Sequence, residues 1–197
     1  VRYTREHFIS APAQTFVSRF TADKAGAVSM TVSYDRPCCE ITVEGQDIVV
    51  RGKADEHGDM RFCVRIRAVL RGGSVCAGED GKSLVITDAD EVLLFVAGGT
   101  DYIPDQSCGY KREDPEMMVR FTLDALYPEY AVLKAAHIAD YRALFDRVVL
   151  DIAGPSHDEL PTDERICAFN ENGGDIGLVT LYYQFGRYLL ICSSRED

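Results

Sequence analysis

Residues 175–193, DIGLVTLYYQFGRYLLICS, constrain the fold more than any other stretch of this chain. At helical pitch Ile176, Leu178, Val179, Leu181, Tyr182, Tyr183, Phe185, Tyr188, Leu189, Leu190 and Ile191 cover the circumference, and only Thr180, Gln184 and Arg187 interrupt them. A helix that is apolar on every side must be covered on every side. Few helical segments precede this one. The expectation is therefore a piece of a larger protein, divided where a helical domain begins; a first residue of Val rather than Met fits the same reading. A membrane span is the poorer alternative. It needs roughly 20 mostly apolar residues, Arg187 and Gln184 sit mid-run where polar groups are costly, and three tyrosines lie well inside the stretch. The N-terminal VRYTREHF is charged and has no apolar core, so it is not a signal peptide.

Residues 1 to about 99 read as strands. QTFVSRFTA and AVSMTVSYD both alternate and are expected to pair as a hairpin across ADKAG. CEITVEG and QDIVVRGK follow, with Gly45 at their corner. MRFCVRIRAVL places Phe62, Val64, Ile66 and Ala68 on one face and Arg61, Arg65 and Arg67 largely on the other. SLVIT and EVLLFVA are two more strands. Gly72, Gly73 and Gly78 read as turn residues, since they form neither G-x-G-x-x-G nor a P-loop. Short, closely spaced strands with turn signals imply a β-sandwich or barrel.

TDYIPDQSCGYKRED, residues 100–114, has no periodicity and reads as a long loop. Such loops are often functional, and Tyr102 and Tyr110 could line a site, although anchoring the loop is the plainer role. At Pro115 the period becomes helical, with Asp114 as cap and Glu116 in the first turn. One helix is expected to about Leu126 and a second from Pro128. The second carries Tyr130, Leu133, His137, Tyr141, Leu144 and Phe145 on one stripe, with Asp140 and Asp146 off it and solvated. A hydrogen-bonded core role for His137 is preferred to a catalytic one. VVLDI at 148–152 returns to strand character. Thr162 is the expected cap of a helix ending near Asn172, Gly173 and Gly174, and Asp175 then caps the apolar helix.

The formal charge of −11 excludes a basic nucleic-acid surface, and no Lys/Arg cluster is present. Seven cysteines without a C-x-x-C pair make a zinc ribbon improbable. Cys63, Cys167 and Cys192 lie in apolar patterns and are expected to be small buried hydrophobes. Scattered cysteines and the charged N-terminus favour a cytoplasmic location. The histidines His7, His57, His137 and His157 are too dispersed for a metal cluster, His57 falling at an exposed hairpin tip. The carboxylate pairs Asp88/Asp90, Asp163/Glu164 and Glu196/Asp197 have no aromatic pocket pattern beside them and read as solvated surface. A nucleophilic pair such as Cys108 with His137 is less supported still. No catalytic residue, metal or cofactor is assigned from the residues, and the substrate-binding residues stay open.

PTDER at 161–165, Asp175, and LYYQFGRYLL-x-x-SSR at 181–195 form an ordered set of motifs. ADE at 89–91, TDY at 100–102, H-x-x-DY-x-x-LF-x-RV-x-L from His137 to Leu150, and the N-terminal YTREHFISAP join it. Together they resemble the α-L-fucosidases of glycoside hydrolase family 95 across almost the whole chain. The resemblance implies an enzyme with an N-terminal β-supersandwich, a helical linker and an (α/α)6 barrel. It also implies inverting hydrolysis of terminal α-L-fucosyl linkages, often α-1,2. In that family a glutamic acid serves as general acid and asparagines held by an aspartate activate the water, across the roughly 6.5–9.5 Å that inversion requires. Those groups lie C-terminal to the S-S-R segment in the family, so none is carried onto this chain. The early sandwich strands also have no counterpart here.

The expected fold class is α+β: an antiparallel β-sandwich, part of a supersandwich, followed by C-terminal α-helices. Residues 1–113 would form the sandwich portion, 114–160 the linker helices with the returning strand, and 161–197 the first barrel helices. The expected partner is a fucosylated oligosaccharide for the parent enzyme, with no nucleic acid and no membrane. The piece alone would be inactive and would self-associate through bare edges and the apolar helix. The rival reading is a non-catalytic carbohydrate-binding or scaffold sandwich. Exposed loop tyrosines favour sugar binding, and the absence of Trp counts against it.

Overall fold

The computed structural model describes residues 1–54, 58–111 and 114–195. The chain divides into two compact units, Val1–His137 and Ile138–Asp197, with the division inside one helix.

Nine strands are present among the described residues: β1 (Tyr3–Ser10), β2 (Thr15–Ala22), β3 (Val28–Val32), β4 (Cys39–Glu44), β5 (Asp47–Lys53), β6 (Arg61–Arg71), β7 (Ser74–Ala77), β8 (Leu84–Ala89) and β9 (Glu91–Thr100). They form a six-stranded sheet, β1-β2-β9-β6-β5-β4, and a three-stranded sheet, β3-β8-β7, both antiparallel. The fold is thus the expected α+β class, an antiparallel sandwich followed by helices. Four helices follow: α1 (Pro115–Asp124), α2 (Tyr130–Phe145), α3 (Thr162–Asn172) and α4 (Ile176–Ser193).

The large sheet is buried on both faces. Ile48, Val50, Phe62, Ile66, Ala68, Val92 and Leu94 meet Val28, Leu84 and Ile86 of the small sheet. One residue along each strand, Val17, Val49, Cys63, Leu93 and Phe95 point the other way and pack with Val119 and Leu123 of α1 and Tyr130 and Leu133 of α2. Period-two geometry sends alternate residues to opposite faces. A strand covered on both sides therefore reads as an unbroken apolar run, as in Ile48-Val49-Val50 and Val92 to Val96.

Two expectations about pairing are corrected. β2 and β3 are not a hairpin: β2 has both edges occupied, by β1 and β9, while β3 pairs with β8 in the other sheet. Alternation specifies which face a residue takes but not which strand lies beside it. Residues 148–152 form no strand; Val148, Val149 and Ile152 are exposed, with no neighbouring edge to complete a ladder.

The local helix signals hold. Asp114 Oδ1 accepts from the Glu116 N–H at 3.2 Å with Pro115 in the first turn, and Asp175 Oδ1 accepts from the Leu178 N–H at 2.9 Å. α2 begins at Tyr130, two residues beyond Pro128. Thr162 is the first helical residue rather than the cap; Pro161 takes that position and offers no side-chain acceptor. Among the cysteines Cys63 is buried, and burial pushes its thiol up to about 11, whereas Cys167 and Cys192 are exposed, against expectation. Each lies on a helix whose apolar residues are themselves largely uncovered.

In the second unit α4 is as apolar as its sequence, and bare. Tyr182 is 78% exposed, Leu190 64% and Phe185 54%, and no α4 residue is buried. No helix is long and apolar enough to cross a membrane among the described residues.

Candidate functional site

Charged clusters organise both units. On the helix-facing side of the large sheet, Arg51, Arg65 and Arg67 meet Glu44, Asp47, Glu116 and Asp124. Arg65 Nη1 donates to Asp47 Oδ2 at 2.9 Å and Nη2 to Glu44 Oε2 at 2.7 Å. Arg67 Nε and Nη2 both donate to Asp47 at 2.9 Å, and Arg67 Nη2 lies 2.9 Å from Asp124. Arg51 holds Glu116 through Nε at 2.7 Å and Nη2 at 2.6 Å. These pairs fasten α1 to β4, β5 and β6. The alternation in MRFCVRIRAVL anticipates the arginine face; the acidic partners come from distant segments.

In the second unit Arg165 donates through Nε and Nη2 to Asp175 at 2.8 and 3.0 Å and through Nη1 to Asp158 at 3.0 Å. One aspartate thus caps α4 and clamps it to α3. The Arg165 guanidinium holds the Asp175 carboxyl far below the usual carboxylate range, against a smaller opposing push from burial. Arg187 donates to the carbonyls of Phe145 at 2.7 Å and Val148 at 2.8 Å, satisfying acceptors at the end of α2. Arg195 is bidentate on Asp140 at 3.1 and 2.8 Å, so Asp140 is paired rather than solvated, while Asp146 is exposed.

The buried carboxylates among the described residues are Asp47, Glu91, Asp101 and Asp175, and each is bound by an arginine. Burial pushes Asp101 up, but hydrogen bonds from the Arg61 guanidinium and backbone N–H outweigh it and leave the carboxyl below its ordinary value. A glycosidase general acid needs a carboxyl held protonated near neutral pH. Arginine-bound carboxylates do the opposite, which suits clamps rather than proton donors.

The individually weighed residues are dispersed. His137 stacks on Phe8 with ring centroids 4.9 Å apart, and His7 Nδ1 lies 2.7 Å from Ser18 Oγ. His157 is exposed beside Glu159. Cys108 is exposed, with its thiol donating to the Asp105 carbonyl, and nothing joins it to His137. Asp88, Asp90, Asp163 and Glu164 are exposed. His57, Glu196 and Asp197 lie outside the described residues. No cluster of metal-ligating side chains occurs among the described residues.

Residues 102–111 of the expected loop have more order than their sequence suggests. Tyr102 and Lys111 form an isolated antiparallel bridge around a 3-10 turn at Gln106–Cys108. Tyr102 and Tyr110 are half exposed, their rings parallel within 5° and 6.4 Å apart. Asp101, the residue that anchors the loop, is 1% exposed; its sequence marks it only as the middle of TDY at 100–102, with no sign of the anchoring role.

Comparison with known proteins covers both units. Residues 1–105 match the glycosyl hydrolase family 65, N-terminal domain, and residues 129–197 match the glycosyl hydrolase family 95 catalytic domain. Alpha-L-fucosidase 2 of Arabidopsis thaliana is 30% identical over 99% of this chain and 27% of its own length. Probable alpha-fucosidase A of Aspergillus niger is 28% identical over 97% of this chain and 26% of its own length. That of Aspergillus oryzae is 26% identical over the full chain and 29% of its own. The chain thus spans about a quarter of the length of the curated relatives it matches.

Proposed function

We propose that this chain, which belongs through residues 1–105 to the glycosyl hydrolase family 65, N-terminal domain and matches the family 95 catalytic domain over residues 129–197, serves an enzyme removing terminal α-L-fucose from glycans with inversion. The linkage is α-1,2, and the acid, the water-activating asparagines and most of the barrel are supplied outside residues 1–197. Residues 1–113 supply the sandwich portion, residues 114–160 the linker, and α3 and α4 are the first helices of the barrel. The observation that carries the reading is α4, a largely apolar helix with no buried residue, within the stretch matching a catalytic domain. A bare helix of that composition has its natural covering in further helices. The arginine-bound state of every buried carboxylate among the described residues supports placing the proton donor elsewhere.

The test is fucose release from an α-1,2-fucosylated oligosaccharide, read by proton NMR so that the first-formed anomer is seen. Residues 1–197 alone are expected to release none. A protein continuing through the rest of the catalytic domain is expected to release β-L-fucose first. Turnover by the 197-residue chain, or α-L-fucose as first product, would overturn the reading.

A further inference from the structure

We propose that the Tyr102–Tyr110 pair is a non-catalytic glycan-binding platform, a secondary contact for the carbohydrate on which the enzyme acts. It rests on the reading above for the identity of the ligand, though not for the geometry.

The pair is built rather than incidental. Asp101 is 1% exposed and ties the loop to β6: its backbone N–H donates to the Arg61 carbonyl at 3.0 Å, and its carboxylate accepts from the Arg61 N–H at 2.8 Å and Nε at 3.0 Å. The next residue is Tyr102. The chain then turns through Asp105, whose Oδ1 accepts from the Ser107 N–H at 2.8 Å, and returns through Gly109 at φ 67°. Tyr110 follows at φ 61°, a left-handed backbone that a bulky side chain seldom adopts. It is held there by its N–H to the Asp105 carbonyl at 2.9 Å and its carbonyl to the Ile103 N–H at 3.1 Å. The result of this unusual conformation is a ring parallel to Tyr102 within 5°. Backbone strain of this kind clusters at sites that meet a ligand.

The rings gain little by burial. They are 48% and 47% exposed, and centroids 6.4 Å apart are too distant for face-on contact, so both present aromatic surface to water. The negative face of an aromatic ring attracts the weakly positive C–H groups on one side of a pyranose. Polar side chains that suit its hydroxyls lie in the same short segment: Lys111, next to Tyr110 and paired with Asp59, and Asp105 in the turn between the tyrosines. Few directed polar groups beside an apolar surface are the usual make-up of a small-molecule contact. An uncharged, hydroxyl-rich ligand also avoids the repulsion that the net charge of −11 would impose on an anion.

The experiment is calorimetric and NMR titration of the full 197-residue chain with three probes: a fucosylated oligosaccharide, the same oligosaccharide without fucose, and a proline-rich peptide, the other ligand that tyrosine pairs receive. The variants are Tyr102→Ala with Tyr110→Gly, the glycine suiting the left-handed backbone, and Tyr127→Ala as an exposed aromatic control. Circular dichroism verifies that each folds. Glycan binding by the unmodified chain, weakened at least tenfold in the double variant and unchanged in Tyr127→Ala, supports the platform. Absence of glycan binding, equal binding by the double variant, or binding of the peptide alone overturns it. If the glycan binds equally well without fucose and the longer protein releases none, the platform stands and the fucosidase reading fails. If fucose is released while neither glycan binds the chain, the reverse holds.

Discussion

Replacing Asp47 by alanine is the sharpest test of how α1 is held to the sandwich. Asp47 is 5% exposed and receives three hydrogen bonds at 2.9 Å, one from Arg65 and two from Arg67. Removing one member of a buried ion pair costs about 3–5 kcal/mol, mostly because the other charge stays buried. Arg65 keeps Glu44, and Arg67 keeps Asp124, so the low end, about 3 kcal/mol, is expected. Arg65→Met should cost far less, although Arg65 is the centre of the cluster. Each acid it touches retains another arginine: Asp47 has Arg67, and Glu44 and Glu116 have Arg51. Arg65 Nε is buried without a partner, so the substitution also removes an unsatisfied donor. The methionine chain fills the space of the arginine stem. About 1 kcal/mol is expected, because no acid is left without an arginine and an unsatisfied buried donor is removed. Urea unfolding followed by far-ultraviolet circular dichroism reads both; the chain has no Trp to report by fluorescence. With a slope of about 2 kcal/mol/M, the midpoint falls by about 1.5 M for Asp47→Ala and about 0.5 M for Arg65→Met. Equal shifts, or a larger one for Arg65→Met, would refute the reasoning.

Acid should unfold the first unit through this network and the separate Lys134–Glu6 pair. Hydrogen bonds from Arg51 lower Glu44 and Glu116, one from Arg67 lowers Asp124, and one from Lys134 lowers Glu6, all more than burial raises them. Folded values below the unfolded ones of about 4.3 for Glu and 3.9 for Asp mean stability fully present above those values and lost as pH falls beneath them. A melting temperature that is flat from neutral pH to about 5 and drops below about 4 is expected; a drop already at pH 6 would contradict it. Gly154→Ala should destabilise the second unit by about 1–3 kcal/mol through overpacking, because a Cβ there would lie 2.8 Å from Ile176 Cβ and 2.5 Å from its Cγ1. A thermal transition unchanged from the parent would show that the 153–156 connector does not pack on α4 in solution. The bare face of α4 should make the 197-residue chain self-associate, with Leu190→Glu and Tyr182→Glu together reducing it; sedimentation showing a concentration-independent monomer before any substitution would remove that idea.

The sequence by itself determined the features whose causes lie within a few residues. Alternation located strands such as β2, β3 and β6, and short apolar runs between turns located β5 and β9. Asp114 before Pro115, Gly173-Gly174 and then Asp175 marked helix boundaries because caps and left-handed glycines act on the adjacent turn. The apolar circumference of 176–191 announced a helix in need of cover, and the motifs from PTDER to S-S-R pointed to the family. Only the tertiary structure decided what depends on the far partner. β2 and β3 alternate like a hairpin yet lie in different sheets, since a period of two says nothing about which edge is vacant. VVLDI has strand composition and no ladder to join. Asp140, expected in solvent, is paired with Arg195, and the acids that meet the arginine face of β6 come from as far as Asp124. The parallel setting of Tyr102 and Tyr110 required a left-handed tyrosine that no spacing rule anticipates. Local backbone preferences are set by neighbouring atoms; pairing, burial and the choice of charge partner are set by the chain's path through space.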